Sequence, residues 1–304
     1  MTPEKRLFDR FHAELPHFIN LHSLTLDGTV ICPYTYRVVA QAPSLRKLEI
    51  HNCKFFPYEL SFSEYHARPL YGQQTPIPPF ALDQLRITHL SIHKITCAHD
   101  HEFHHQHPFM LSSVPTLEHL SMTWSTSQSM IYSPVRWTLP QLRSLDVTLP
   151  HLQRDLVDTL VAFVNQCPNE PRISLSIERH SLSDQQINSL SVPLRGVWSY
   201  KGPLPIASFS STRKIDRDSP GATLQHVIMN EAMDLNSLVD GLEVLPRNLQ
   251  TLEIQVRMWD MELLFAVRCL FPEIRSITIR FGKGFLPPVS HTIHSCPIES
   301  EHIH

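Results

Sequence analysis

Glycine is scarce in this chain: 8 of 304 residues, set against 25 prolines. Average usage is roughly 7% Gly and 5% Pro. Folds that hold phosphates on glycine-rich turns are therefore disfavoured, and FGKGF at 281–285 lacks the rest of a phosphate loop. The motifs GxSxG, GxxxxGK[ST], HExxH and GxGxxG do not occur. Isolated Ser, His and Asp residues are present, but no spacing ties them into a catalytic set. The pair Asp155 and Asp158 reads as solvated helix surface. The expectation is a non-catalytic protein without a cofactor.

Charge is thin as well. Asp, Glu, Lys and Arg make up 18% of the chain, and the formal net charge is −3. A nucleic-acid binder that works by bulk charge needs a basic excess, so no nucleic-acid partner is expected. No apolar run approaches the ~20 residues of a membrane-spanning helix. The opening stretch, MTPEKRLFDRFHAELP, places charges where a secretory signal needs an apolar centre. Six cysteines lie at 32, 53, 97, 167, 269 and 296, the nearest two 21 residues apart, so no CxxC or zinc-ribbon spacing exists. A cytoplasmic or nuclear protein with reduced thiols follows as the expectation.

What the chain does contain is a repeat. The phrase h-x-x-h-x-h, with h apolar, reads LHSLTL from Leu21, LRKLEI from Leu45, ITHLSI from Ile87, LEHLSM from Leu117 and LRSLDV from Leu142. It weakens in RISLSI, where Arg172 takes the first slot, and in LRGVWS from Leu194, where Ser199 takes the third. It resumes as LQHVIM from Leu224, LQTLEI from Leu249 and IRSITI from Ile274. Of the 30 slots, 28 are apolar, in a chain that is 42% apolar. The starts are on average about 28 residues apart, within the ~20–29 residues of a leucine-rich period.

Proline stands one to three residues before seven starts, at 43, 115, 140, 171, 193, 246 and 272. It forbids helix continuation and so marks a helix-to-strand boundary. Inside each phrase the period is two, which makes a short strand with one buried face. Between phrases the period is often helical. Leu7, Phe8, Phe11 and Leu15 share a face, as do Leu152, Leu156, Val157, Leu160, Val161 and Val164. So do Leu235, Leu238, Val239 and Leu242, and Leu263, Leu264, Val267, Leu270 and Phe271.

The expected architecture is an α/β leucine-rich-repeat solenoid, a horseshoe of about ten irregular repeats over residues 1–284. Parallel strands would line the concave face and helices the convex face. Insertions break the period near 54–81, 125–138 and 202–221, and the tail 285–304 is expected to be poorly ordered. At Leu45 the phrase extends to LRKLEIHNC, which matches the leucine-rich signature with Cys53 in its Asn/Cys slot.

On these phrases the chain resembles the ribonuclease-inhibitor-like superfamily, and more closely the leucine-rich half of fungal F-box proteins. The resemblance covers residues 15 to about 282. It implies a substrate-recognition receptor of a cullin-type (SCF) ubiquitin ligase, with a protein substrate on the concave face and a Skp-type adaptor and cullin as further partners. In that family a helical F-box precedes the repeats. Here the first phrase already starts at Leu21, so a receptor without a visible F-box, or a truncated relative without ligase activity, is expected. The alternative is a regulator of another enzyme, of inhibitor or GTPase-activating type.

Candidate sites follow from the strand pattern. Residues between the apolar slots point to solvent, and adjacent strands lie ~4.8 Å apart. Trp198, Tyr200 and Ile228 should then form one patch, with Trp124 and Arg195 extending it as partner-binding residues. A one-residue slip would instead carry Trp198 and Tyr200 inside. His51 and His93 fall in one outward column, and His89 and His119 in another, either as plain surface residues or as a pH-sensitive surface or metal clip. In AHDHEFHHQH, the residues His99, His101, His104, His105 and His107 crowd together. Imidazole suits zinc, copper and nickel, but nothing in an irregular loop makes these side chains converge. A solvated loop with only adventitious metal binding is the expectation.

Overall fold

Four of the apolar phrases enter their strands through the same turn. In a computed structural model of the chain, the first-slot amides of Leu45, Leu117, Leu142 and Ile274 donate to the carbonyls of Ala42, Val114, Leu139 and Phe271, at 3.2–3.3 Å. The prolines at 43, 115, 140 and 272 fall second in these four-residue turns, where a fixed φ is already correct. Proline therefore does more than stop a preceding helix: it pre-forms the entry to the strand. The structure describes residues 10, 14–31, 35, 39–55, 86–97, 114–125, 139–178, 196–203, 224–257, 261–281 and 292–294.

The chain divides into two compact units. The first comprises Met1–Val147 with Asp158–Pro171, and the second Thr148–Val157 with Arg172–His304. In the first unit the main strands are β1 (Ser23–Asp27), β3 (Lys47–His51), β5 (His89–His93), β7 (His119–Thr123) and β8 (Ser144–Leu149, whose last two residues fall in the second unit), neighbours in that order. The short strands β2 (Val30–Ile31), β4 (Lys54–Phe55) and β6 (Thr96–Cys97) follow β1, β3 and β5 and pair with one another in parallel. Helix α1 (Arg154–Asn165) crosses the unit boundary.

In the second unit the main strands are β9 (Arg172–Ile177), β10 (Val197–Gly202), β11 (His226–Met233), β12 (Thr251–Val256) and β13 (Ser276–Phe281). A short β14 (Thr292–His294) pairs antiparallel with β13. Helix α2 (Leu235–Leu242) lies between β11 and β12, and α3 (Met261–Leu270) between β12 and β13. Ten strands, five per unit, are thus parallel and unclosed, with few helices among the described residues.

The register matches the phrases. Leu24, Leu48, Leu90 and Leu120 stand side by side on β1, β3, β5 and β7, and Leu252 pairs with Ile277 on β12 and β13. One backbone device recurs beside them. The carbonyls of His22, Arg46, Thr88, Glu118, Gln225 and Gln250 each accept two successive amides from the next phrase, at 2.8–3.1 Å. Central slots are fully buried, including Leu145 and Leu252. The exceptions are Leu24 and Ile277, which are half-buried.

The helices bury the stripes that the sequence marks. Leu156, Val157, Leu160, Phe163 and Val164 are buried on α1, Leu238 and Leu242 on α2, and Leu263 and Val267 on α3. Val161 is half-buried and Phe163 takes its place inside. Asp234 caps α2, its side chain accepting from the Ser237 amide at 3.0 Å. Leu15 is buried and opens a short 3-10 helix, Leu15–His17. Leu7, Phe8 and Phe11, most of the insertions at 54–81 and 125–138, the stretch 204–221 and nearly all of the tail lie outside the described residues.

Candidate functional site

The outward strand face of the first unit is polar and closely ordered. Ser23, Lys47, His89 and His119 form one row across β1, β3, β5 and β7. Thr25, Glu49, Ser91 and Ser121 form the next, and Asp27, His51 and His93 a third. Glu49 takes a 2.7 Å ion pair from Lys47 Nζ and a 2.8 Å hydrogen bond from Thr25 Oγ1. The Lys47 bond first, and the Thr25 bond second, hold its carboxyl below the usual range. His51 and His93 stack with ring centroids 5.4 Å apart, and His89 and His119 with centroids 4.2 Å apart.

His93 is bracketed by hydroxyls: Nε2 is 3.0 Å from Ser121 Oγ, and Nδ1 is 3.1 Å from Thr123 Oγ1. Ser121 and His93 thus have the spacing of a nucleophile and its base. The orienting partner is a hydroxyl rather than a carboxylate. In addition, strand amides run along the sheet into the ladder, so none is aimed at its face as an oxyanion donor. Among the described residues the pair is a positioned hydrogen bond without a carboxylate partner or an oxyanion donor beside it.

The second unit carries a different cluster. The Arg172 guanidinium lies over the Trp198 ring, 4.3 Å from its centroid, and His226 meets the same ring edge-on at 4.8 Å. Arg172 is exposed and Trp198 half-buried. The Trp198 Nε1 is enclosed and has no hydrogen-bond partner among the described residues. Burial, and then the Arg172 charge, depress proton binding at His226. Nearby, Lys201 is exposed and stands in register with Ile228, and Glu253 pairs with Arg280 at 2.7 Å.

These positions correct the patch drawn from the alternation. Between Val197 and Ser199 the register against β9 jumps: Val197 pairs with Ile173, but Ser199 with Ser174. Trp198 is the extra residue of a β-bulge, and a bulge reverses the facing of everything after it. Tyr200 therefore takes the central buried slot beside Leu175 and Val227, at 0% exposure. Its hydroxyl donates to the Pro203 carbonyl at 2.8 Å, and burial raises its pKa well above the ordinary value. Ser199 does not occupy a core slot, and Lys201, not Trp198, neighbours the half-buried Ile228.

Trp124 is also core, at 0% exposure, packed on Phe163 at 5.4 Å and donating from Nε1 to Thr159 Oγ1 at 3.3 Å. Neither Trp124 nor Tyr200 presents a side chain to a partner. Arg195 and the five histidines His99, His101, His104, His105 and His107 lie outside the described residues. The Arg172–Trp198–His226 cluster was not read from the sequence. Its traces were Arg172 in an apolar slot and the polar Ser199 beside Trp198.

Among the described residues no group of three His, Cys, Asp or Glu side chains is placed to hold a metal ion, and no helix is long and apolar enough to cross a membrane. The thiols of Cys53 and Cys167 are buried, and burial pushes Cys167 up to about 11 and raises Cys53 too. Neither is a ready nucleophile. Compared with known proteins, the chain matches no protein-family model and no curated sequence.

Proposed function

We propose that each unit is a run of leucine-rich repeats and that the chain acts, without catalysis of its own, as a protein-recognition scaffold. Support for the repeat reading comes from the buried Cys53, whose Sγ donates to the carbonyls of Leu26 and His51 at 3.3 and 3.1 Å. That is the job of the Asn/Cys slot, to fasten one repeat's loop to its neighbour. On this reading the helices cover the convex side and the outward strand face is the concave one.

The observation that carries the binding reading is the Arg172–Trp198–His226 cluster. Trp and Arg are the residue types enriched at binding hot spots. Here the guanidinium is exposed and held over a half-buried indole ring. A partner rich in carboxylates or carbonyls would pair with that guanidinium. Lys201 and Ile228 extend the surface. The resemblance to fungal F-box proteins makes a substrate receptor of a cullin-type ubiquitin ligase the leading role, with a Skp-type adaptor and cullin as the further partners.

The test is affinity capture from native extract with the full chain as bait, followed by identification of the retained proteins. Recovery of a Skp-type adaptor and a cullin with the wild type supports the ligase role. Recovery of a small GTPase or a hydrolase instead favours a regulator of that enzyme. Arg172→Ala and Trp198→Ala should each weaken substrate capture. Capture that depends on the exposed Met261 and Phe265 of α3, and not on Trp198, would move the interface off the strand face.

A further inference from the structure

Four histidines of the first unit occupy register positions on three adjacent strands. His51 on β3 stands opposite His93 on β5, and His89 on β5 opposite His119 on β7. Both pairs stack face to face, with interplanar angles of 5° and 18°. Two neutral imidazoles pack well in this way, whereas two imidazolium ions at the same separation repel. Parallel neighbours are held ~4.8 Å apart by their backbone ladder, so the paired side chains start from closely spaced positions.

The groups around the stacks only partly offset such charging. Lys47 on β3 flanks His89 and adds a further positive charge, as Lys94 does beyond β5 for His93. Glu118, just ahead of β7, and Glu49, on β3, oppose this at His89 and His93 respectively. Glu49 is already committed to Lys47 and Thr25. Asp27 on β1 faces His51 in register but accepts from Asn52 Nδ2 at 2.9 Å. Asp146 is an exposed acid on β8, the next strand after β7. The Ser121 and Thr123 hydroxyls serve either protonation state of His93, so they impose no bias.

We propose that the two in-register histidine stacks make the β3–β5–β7 part of the first unit a pH-responsive element, packed while the imidazoles are neutral and loosened when they are protonated. The direction of the response follows from proton linkage. Burial first, and the partner imidazole second, lower proton affinity at His89 and His93 in the folded state. The unfolded or opened strands then bind more protons than the packed ones. Stability is complete above about pH 6.5, the ordinary histidine value, and is lost progressively as the pH falls below it. The proposal does not depend on the identity of any partner.

Two measurements on the full chain decide it. The first is an NMR titration of the imidazole nitrogens, in which His89 and His93 should titrate below the ordinary value. The second is amide hydrogen exchange, corrected for intrinsic rates, at about pH 7.5 and about pH 5.5. Amides of β3, β5 and β7 should lose on the order of tenfold in protection on acidification while those of β12 and β13 do not. Replacing His51, His89, His93 and His119 together by Gln should remove the difference. Should that variant fail to fold, the wild-type titration and exchange still decide. Ordinary titration of His89 and His93 with unchanged protection, or a folded variant that keeps the full pH response, would overturn the proposal.

Discussion

Gly28, Asn52 and Lys94 each follow a strand directly and share a left-handed backbone, with φ of 61°, 51° and 52°. The turn that leads from each main strand to its short companion demands that conformation, whatever residue supplies it. Space is open around Gly28, so a methyl group there would meet no neighbour. Gly28→Ala should nonetheless destabilise the fold by roughly 1–2 kcal/mol, through backbone strain alone. Chemical denaturation reads this directly, and a neutral result would mean that the turn relaxes. Trp124 makes a second residue-scale case. It lies two positions after the buried Met122, on the same side of the alternation, so its burial was legible in the phrase LEHLSMTW. Its aromatic character drew it wrongly toward an interface. Trp124→Ala should cost ~3–5 kcal/mol in unfolding experiments, with no separable effect on binding. Tyr200 was harder to place. Gly202 comes so close that an added Cβ would lie 2.5 Å from the tyrosine hydroxyl, which is a tertiary fit with no local sequence mark.

At the scale of elements, the main strands and the three helices named among the described residues were legible because each has one buried face and therefore one period. Leu48, Leu90 and Leu120 came out in register as the phrases required, and the α2 and α3 stripes are buried where Leu238, Leu242, Leu263 and Val267 recur. Leu145→Ala and Leu252→Ala should each cost ~2–5 kcal/mol. Because repeats couple mainly to their neighbours, hydrogen exchange should show the loss of protection centred on the altered strand and fading outward. Unchanged protection and melting in both variants would refute the register. What the period could not reveal is where it breaks. The bulge at Trp198 inserts one residue, and β11 carries a wider irregularity between Ile228 and Ala232. There Asn230 Nδ2 reaches the Ile177 carbonyl at 3.3 Å. A bulge depends on what the neighbouring strand offers, so a phrase read alone cannot announce it. The candidate site sits at such a break, which is why Tyr200 turns inside while Trp198 stays half-buried near Ile228; Arg195 lies outside the described residues.

For the whole molecule, 18% charged residues and 8 glycines leave most positions to apolar slots and uncharged polar side chains. Both outward strand faces are dense in His, Ser, Thr, Arg and Glu, and they differ in character: stacked imidazoles and hydroxyls in the first unit, a cation–aromatic cluster in the second. On the proposed reading, a partner is recognised at that second cluster. The most direct test is equilibrium binding of the captured partner to the wild-type chain and to an Arg172→Ala/Trp198→Ala variant whose circular dichroism and melting match the wild type. A true anchor contributes ~2 kcal/mol or more, so the variant should bind on the order of thirtyfold more weakly. Undiminished binding by the folded variant would contradict the account.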